Sequence, residues 1–178
     1  ALQKLPSEAS LAILENTLQD TLVDFRVTVN ALRALSSFNY ESSGPLWKKT
    51  IKGHPNRAVR RTAAEQITAF GSEADGLEYY NAAKEETDPI IRALLFDATL
   101  THLPAYYSVT RKAARWQLQQ IFSQNQNNPV ARAKALNGLS KADSTEAIIY
   151  QLGYSDPSPL VKKAAVEAMR TFPEGIGL

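Results

Sequence analysis

A solenoid of stacked helical hairpins, all-α and without sheet, is the fold this sequence predicts, and three observations predict it. A helix-opening phrase recurs: His54-Pro55-Asn56-Arg57-Ala58-Val59-Arg60, Asp88-Pro89-Ile90-Ile91-Arg92, Asn128-Pro129-Val130-Ala131-Arg132 and Asp156-Pro157-Ser158-Pro159-Leu160-Val161-Lys162. The basic residues closing these phrases, Arg60, Arg92, Arg132 and Lys162, stand 32, 40 and 30 residues apart, a length that suits one hairpin per repeat. Apolar residues after each phrase fall at helical spacing, and nothing alternates with period two over a strand's length.

The elements follow in order within a single domain, residues 1–178. The first hairpin covers residues 7–38. Its opening helix, 7–19, sets Leu11, Leu14 and Leu18 beside Glu8, Glu15, Asn16 and Gln19, as a terminal cap needs. Its second helix is a degraded copy of the phrase around Arg26, with Val29, Leu32 and Leu35 on the apolar side and no preceding proline. The second hairpin, 45–70, pairs a helix at 45–52 with one opened by Pro55, whose stripe runs Val59, Ala63, Ile67 and Phe70 before Gly71 ends it. The third, 73–101, begins after a Ser72 cap with a helix at 73–84, then repeats the stripe in Ile90, Ile91, Leu94, Leu95 and Ala98. The fourth, 104–140, has a longer first helix, 104–123, which absorbs the 40-residue spacing. The fifth, 144–172, starts from a Ser144 cap and a helix at 145–152, and ends in a stripe from Leu160 to Phe172. Proline at or just before each helix start costs no hydrogen bond, and Asp or Asn beside it caps. The tail, residues 173–178, reads as a cap remnant or as the point where a longer chain was cut.

Composition bounds the function more by exclusion. Apolar residues at 44% and charged residues at 21% are those of a folded domain. A net charge of +2 implies no polyanion partner by itself. No apolar run approaches the roughly 18 residues that span a bilayer. With no cysteine, disulfides, thiolate metal sites and cysteine nucleophiles are excluded. The chain opens at Ala1 and its only methionine is Met169, which predicts either a removed signal peptide, hence an exported bacterial protein, or a piece of a longer chain.

The Pro…Val-Arg-x-x-Ala…Leu phrase on the second helix of each pair resembles HEAT-like repeats, in particular the short variety named after phycobilisome lyases. The resemblance covers residues 21–172 and is strongest over 54–70 and 156–172. It implies a right-handed superhelix of about five antiparallel helix pairs. It also implies a structural role for Arg26, Arg60, Arg92, Arg132 and Lys162, whose side chains would bond acidic or carbonyl groups in neighbouring loops, where Asp88 and Asp156 stand. Families of this fold include scaffolds, adaptors, lyases and DNA glycosylases, so the resemblance leaves activity open.

Residues 47–61 are the leading functional candidate, holding Trp47, Lys48, Lys49, Lys52, Arg57, Arg60 and Arg61 with one histidine and no acid. An aromatic ring beside clustered cations suits phosphate or single-stranded nucleic acid, and a solvated edge explains the same pattern. Arg111 and Arg115 repeat the theme beside Lys112 and Trp116. Tyr79-Tyr80 and Tyr106-Tyr107 are weighed as partner anchors; neighbours on a helix point about 100° apart, so one of each pair is expected in the core.

Catalysis has little support. His54 and His102 lie 48 residues apart, and there is no HExxH, Gly-rich phosphate loop or Gly-x-Ser-x-Gly, so neither metal nor cofactor is expected. Trp47, Asp97 and Trp116 fit the aromatic-and-aspartate pattern of HEAT-like glycosylases only by force. The expectation is a monomeric, non-enzymatic module offering a concave face, lined by the second helices, to a protein or peptide. Nucleic-acid binding through residues 47–61 is the alternative, and a lyase or base-excision enzyme the third.

Overall fold

The computed structural model describes residues 7–20, 22–142 and 146–170, and among them there are ten α-helices, two short 3₁₀ turns and no strand. Ser144, Phe172 and the tail at 173–178, read above as a cap, a stripe end and a remnant, lie outside the described residues. The chain divides into two compact units, one ending at Ser72 and the other beginning at Glu73.

The first unit holds α1 (Glu8–Gln19), α2 (Phe25–Ala34), α3 (Tyr40–Gly53) and α4 (Arg57–Phe70). Asparagine or aspartate starts three of them. Asp24 accepts from Arg26 N, Asn39 from Ser42 N and Asn56 from Ala58 N, each satisfying an orphan donor of the first turn. α1 packs on α2, α2 on α4 and α3 on α4, so the second helices of the two hairpins lie side by side. Leu32, Leu35, Trp47, Val59, Ala63 and Ile67 fill the space between them.

α3 begins five residues earlier than the sequence suggests and carries Pro45 in its interior. The reason is local: the Asn39 cap opens the helix, and the Tyr40 ring lies against Gly44, where an added Cβ would come within 2.5 Å of it. The proline forfeits one ladder bond, which burial of Ser43, Gly44 and Trp47 offsets.

The second unit holds α5 (Gly76–Glu85), α6 (Pro89–His102), α7 (Ser108–Gln124), α8 (Pro129–Leu139), α9 (Glu146–Ser155) and α10 (Pro159–Met169). Proline occupies the first helical position of α6, α8 and α10. Here too second helices file side by side, α6 against α8 and α8 against α10, while α5, α7 and α9 each pack on the helix that follows. α6 is buried at every position from Ile90 to Leu100 except Arg92, so the expected free face on the second helices is missing there. α5, α7 and α8 all pack against it.

Asp156-Pro157 does not open α10; Ser158-Pro159 does. The Asp156 carboxylate accepts one backbone N–H, that of Ser158 at 2.8 Å, and turns to Arg132 with both oxygens, whereas Asp88 accepts from Ile90 N and Ile91 N at the start of α6.

Candidate functional site

The basic segment 47–61 separates by burial into anchors and surface. Trp47, expected at a partner surface, is core instead: it is 1% exposed, its indole N–H donates to Leu32 O at 3.1 Å, and its ring lies 6.3 Å from those of Tyr40 and Phe70. A bulky ring with one donor is stable inside only when that donor finds an acceptor, and the α2 carbonyl supplies it. Arg60 Nη1 donates to His54 O and Pro55 O at 3.1 Å each, tying down the turn that precedes its own helix. Arg61 Nε reaches Glu65 Oε1 at 3.1 Å, which cancels one cation on the α4 surface. Lys48 is half-buried; Lys49, Lys52 and Arg57 are exposed.

Beside these cations a cleft of about 740 Å³ opens between α1, the α1–α2 turn, α3 and the α3–α4 turn. Leu18, Val23, Phe25, Leu46 and Pro55 form its apolar walls, and Glu15, Asp20, Lys49 and His54 supply polar groups of both signs. Gly53 leaves it open, since no atom lies within 4 Å of where its Cβ would be. His54 Nδ1 accepts from Asn56 N at 3.1 Å, which leaves the ring proton on Nε2, and Asp20 accepts from Leu22 N at 2.9 Å. Both groups therefore already serve their turns.

The basic positions of the repeats meet different fates. Arg26 stays exposed and clasps Asp24 of its own helix cap, with Nη2 to Oδ2 at 2.8 Å. The hydrogen bonds from Arg26 hold the Asp24 carboxyl down at about 2. Arg92 donates to Gln117 Oε1 on α7 at 3.2 Å. Arg132, almost fully buried, bonds Asp156 in the loop before α10 and also the carbonyls of Asn125 and Gln126. Burial raises the Asp156 carboxyl, but the Arg132 bonds, the Ser158 N–H and the nearby charges of Arg132 and Lys162 hold it below its ordinary value. Lys162 itself is exposed.

Arg111, expected to bind a partner, is a structural residue. Its Nη1 donates to Leu100 O at 2.7 Å and Leu103 O at 2.6 Å, and Nη2 donates to Lys141 O at 3.2 Å. Three of its donors thus satisfy carbonyls, two of them at the end of α6, while the side chain stays half-buried. Arg115 is half-buried at the edge of α7.

Of the pair weighed as partner anchors, Tyr79 is the core member, buried with its ring edge-on to His102 at 6.0 Å between centroids. Tyr80 is half-buried against Phe96, with the Lys84 ammonium 5.7 Å from its ring. Tyr106 and Tyr107 are both exposed and lie 4.7 Å apart, because they precede α7 in a turn and no helical alternation separates them.

Asp97 is buried at the contact of α6 and α8, where an added Cβ at Gly138 would lie 3.2 Å from it. Thr101 Oγ1 donates to Asp97 Oδ1 at 3.2 Å. Burial drives its carboxyl up to about 6 against the attraction of Lys141, the Thr101 bond and Lys134.

Among the described residues no three His, Asp or Glu side chains converge to hold a metal ion, and no helix is long and apolar enough to cross a membrane. Among the described residues each unit is built of helices that pack against their neighbours, with no strand. No family model, curated protein or solved structure gives a significant match to the chain.

Proposed function

We propose that this chain is a non-enzymatic binding module built of HEAT-like helix pairs, stacked as a right-handed solenoid, and that it holds a segment of a partner protein. Support for the architecture comes from the second helices filing side by side within each unit, and from the Arg132 grip on the following loop. The observation that carries the binding reading is the first unit's cleft: apolar walls with charges of both signs at the edge are the composition of a peptide site. A phosphate-binding surface is less well served, since Trp47 is not available for stacking and Arg61 is paired with Glu65.

Selection of a displayed library of linear peptides against the whole chain tests this reading. Enriched peptides should share a bulky apolar residue and lose at least tenfold in affinity for Phe25→Ser and for Lys49→Glu, with a melting transition measured on each variant to verify that it is folded. Enrichment that ignores both variants overturns the proposal. So does single-stranded oligonucleotide binding that falls steeply with salt and disappears in Arg57→Glu/Arg61→Glu, which would install the polyanion reading instead.

A further inference from the structure

α7 is the longest helix, 17 residues, and it carries apolar side chains on two opposite faces. Ala114, Leu118, Ile121 and Phe122 point into the second unit. Directly opposite stand Val109, 80% exposed, and Trp116, 55% exposed. Seven positions turn a helix through about 700°, so these two side chains point within about 20° of each other. Tyr106, 77% exposed, extends the apolar surface from the turn before the helix. None of the three belongs to the buried core, and together they set a large apolar area in water.

Charge says what would cover it. The sequence of α7 contains Arg111, Lys112 and Arg115 and not one acid. Arg111 is turned inward onto three carbonyls, which leaves exposed Lys112 between Val109 and Trp116, with Arg115 at the border. A second copy of this chain is a poor occupant: pairing Val109 with Trp116 of an antiparallel α7 would set Lys112 against Lys112. A nucleic-acid strand, with a charge about every 3.4 Å, is poorly matched by two cations among apolar groups. We infer that the outer face of α7 docks an acidic amphipathic helix of a partner protein, which lays an apolar side chain between Val109 and Trp116 and a carboxylate against Lys112. This surface lies in the second unit and does not depend on the cleft of the first.

A phage-displayed library of 15-residue helical peptides, randomised on one face, is selected against the intact chain and screened against the triple variant Val109→Ser/Lys112→Glu/Trp116→Ala. All three positions are exposed, and an unchanged melt verifies that the variant is folded. The inference expects enriched peptides that are rich in Asp and Glu around a bulky apolar residue, bind the variant at least tenfold more weakly, and shift Trp116 emission to the blue. Charge reversal at Lys112 alone should turn the preference toward lysine-bearing peptides. The inference is overturned if nothing enriches, if enriched peptides show no excess of acid, or if they bind wild type and variant alike. It is also overturned if they respond to Phe25→Ser instead, or if the face proves to mediate self-association or oligonucleotide binding.

Discussion

Arg132 and Asp156 meet through two parallel hydrogen bonds, Nε to Oδ2 at 2.7 Å and Nη2 to Oδ1 at 3.0 Å, with both side chains almost completely buried. The pair ties the turn before α8 to the loop before α10, across 24 residues of sequence, because Arg132 also holds the carbonyls of Asn125 and Gln126. Bidentate pairing fixes geometry as well as charge. Removing one partner strands the other as a buried charge, so Arg132→Met should cost about 3–5 kcal/mol in denaturant unfolding. Arg132→Met/Asp156→Leu together should recover most of that loss. Equal loss in the single and double variants would show that the pair has no coupling.

The same pair sets an acid limit. Asp156 has its folded-state pKa depressed below 3.8, so the stability it contributes is present above that value and is lost as pH falls through the folded pKa. Unfolding midpoints taken below pH 4 should drop less steeply in Arg132→Met/Asp156→Leu than in the wild type.

Asp97 has the opposite sign. Its carboxyl is raised from 3.8 to about 6, so its favourable contribution is complete below 3.8 and is lost as pH rises through about 6. That displacement corresponds to about 3 kcal/mol against the ionised form at neutral pH. Asp97→Asn should therefore raise stability at pH 7.5 and flatten its dependence between pH 4 and 7. Destabilisation by this substitution at pH 7.5 would show that the Lys134 and Lys141 charges matter more than burial.

Two glycines separate packing from propensity. A Cβ at Gly76 would lie 2.9 Å from the Cα of Leu103, a backbone atom that cannot swing away, so Gly76→Ala should cost about 1–3 kcal/mol. At Gly53, in the last turn of α3, nothing lies within 4 Å, and Gly53→Ala should gain about 0.5–1 kcal/mol through helix propensity and reduced freedom of the unfolded chain. Thermal unfolding of the two variants should move in opposite directions.

Arg111→Ala should lower stability by about 2–3 kcal/mol, since it strips charge-assisted bonds from the last carbonyls of α6. It should leave peptide affinity at the outer face of α7 unchanged, as measured by anisotropy. A loss of affinity with unchanged stability would restore the reading of Arg111 as a partner contact.

The phrase at Asp88, Asn128 and Asn56 was legible because capping and proline chemistry are local: a side-chain oxygen within three residues meets the first orphan N–H groups, whatever lies beyond. Locality also explains the misreading of α3. Proline at a first helical position is the commoner pattern, and here the Asn39 cap, with Tyr40 packed over Gly44, starts the helix at Tyr40 instead.

The basic segments were the least legible. Lys and Arg look alike as letters whether they face water or a carbonyl, and Arg111 differs from exposed Lys112 only in which side of α7 it leaves. Val109 offered the one usable signal. It and Trp116 break the apolar period of α7 by falling opposite Leu118.

By itself the sequence determined that the chain forms helix after helix and where most of them start, because these depend on contacts within about four residues; of the stripes it drew, Val59, Ala63 and Ile67 are buried while Phe70 and Leu160, at stripe ends, are exposed. Tertiary structure alone decided that Trp47 and Tyr79 are core, that Arg132 closes on Asp156, and that α7 keeps a tryptophan in water. Those outcomes depend on what lies across a helix–helix contact, and period specifies a face without specifying its neighbour.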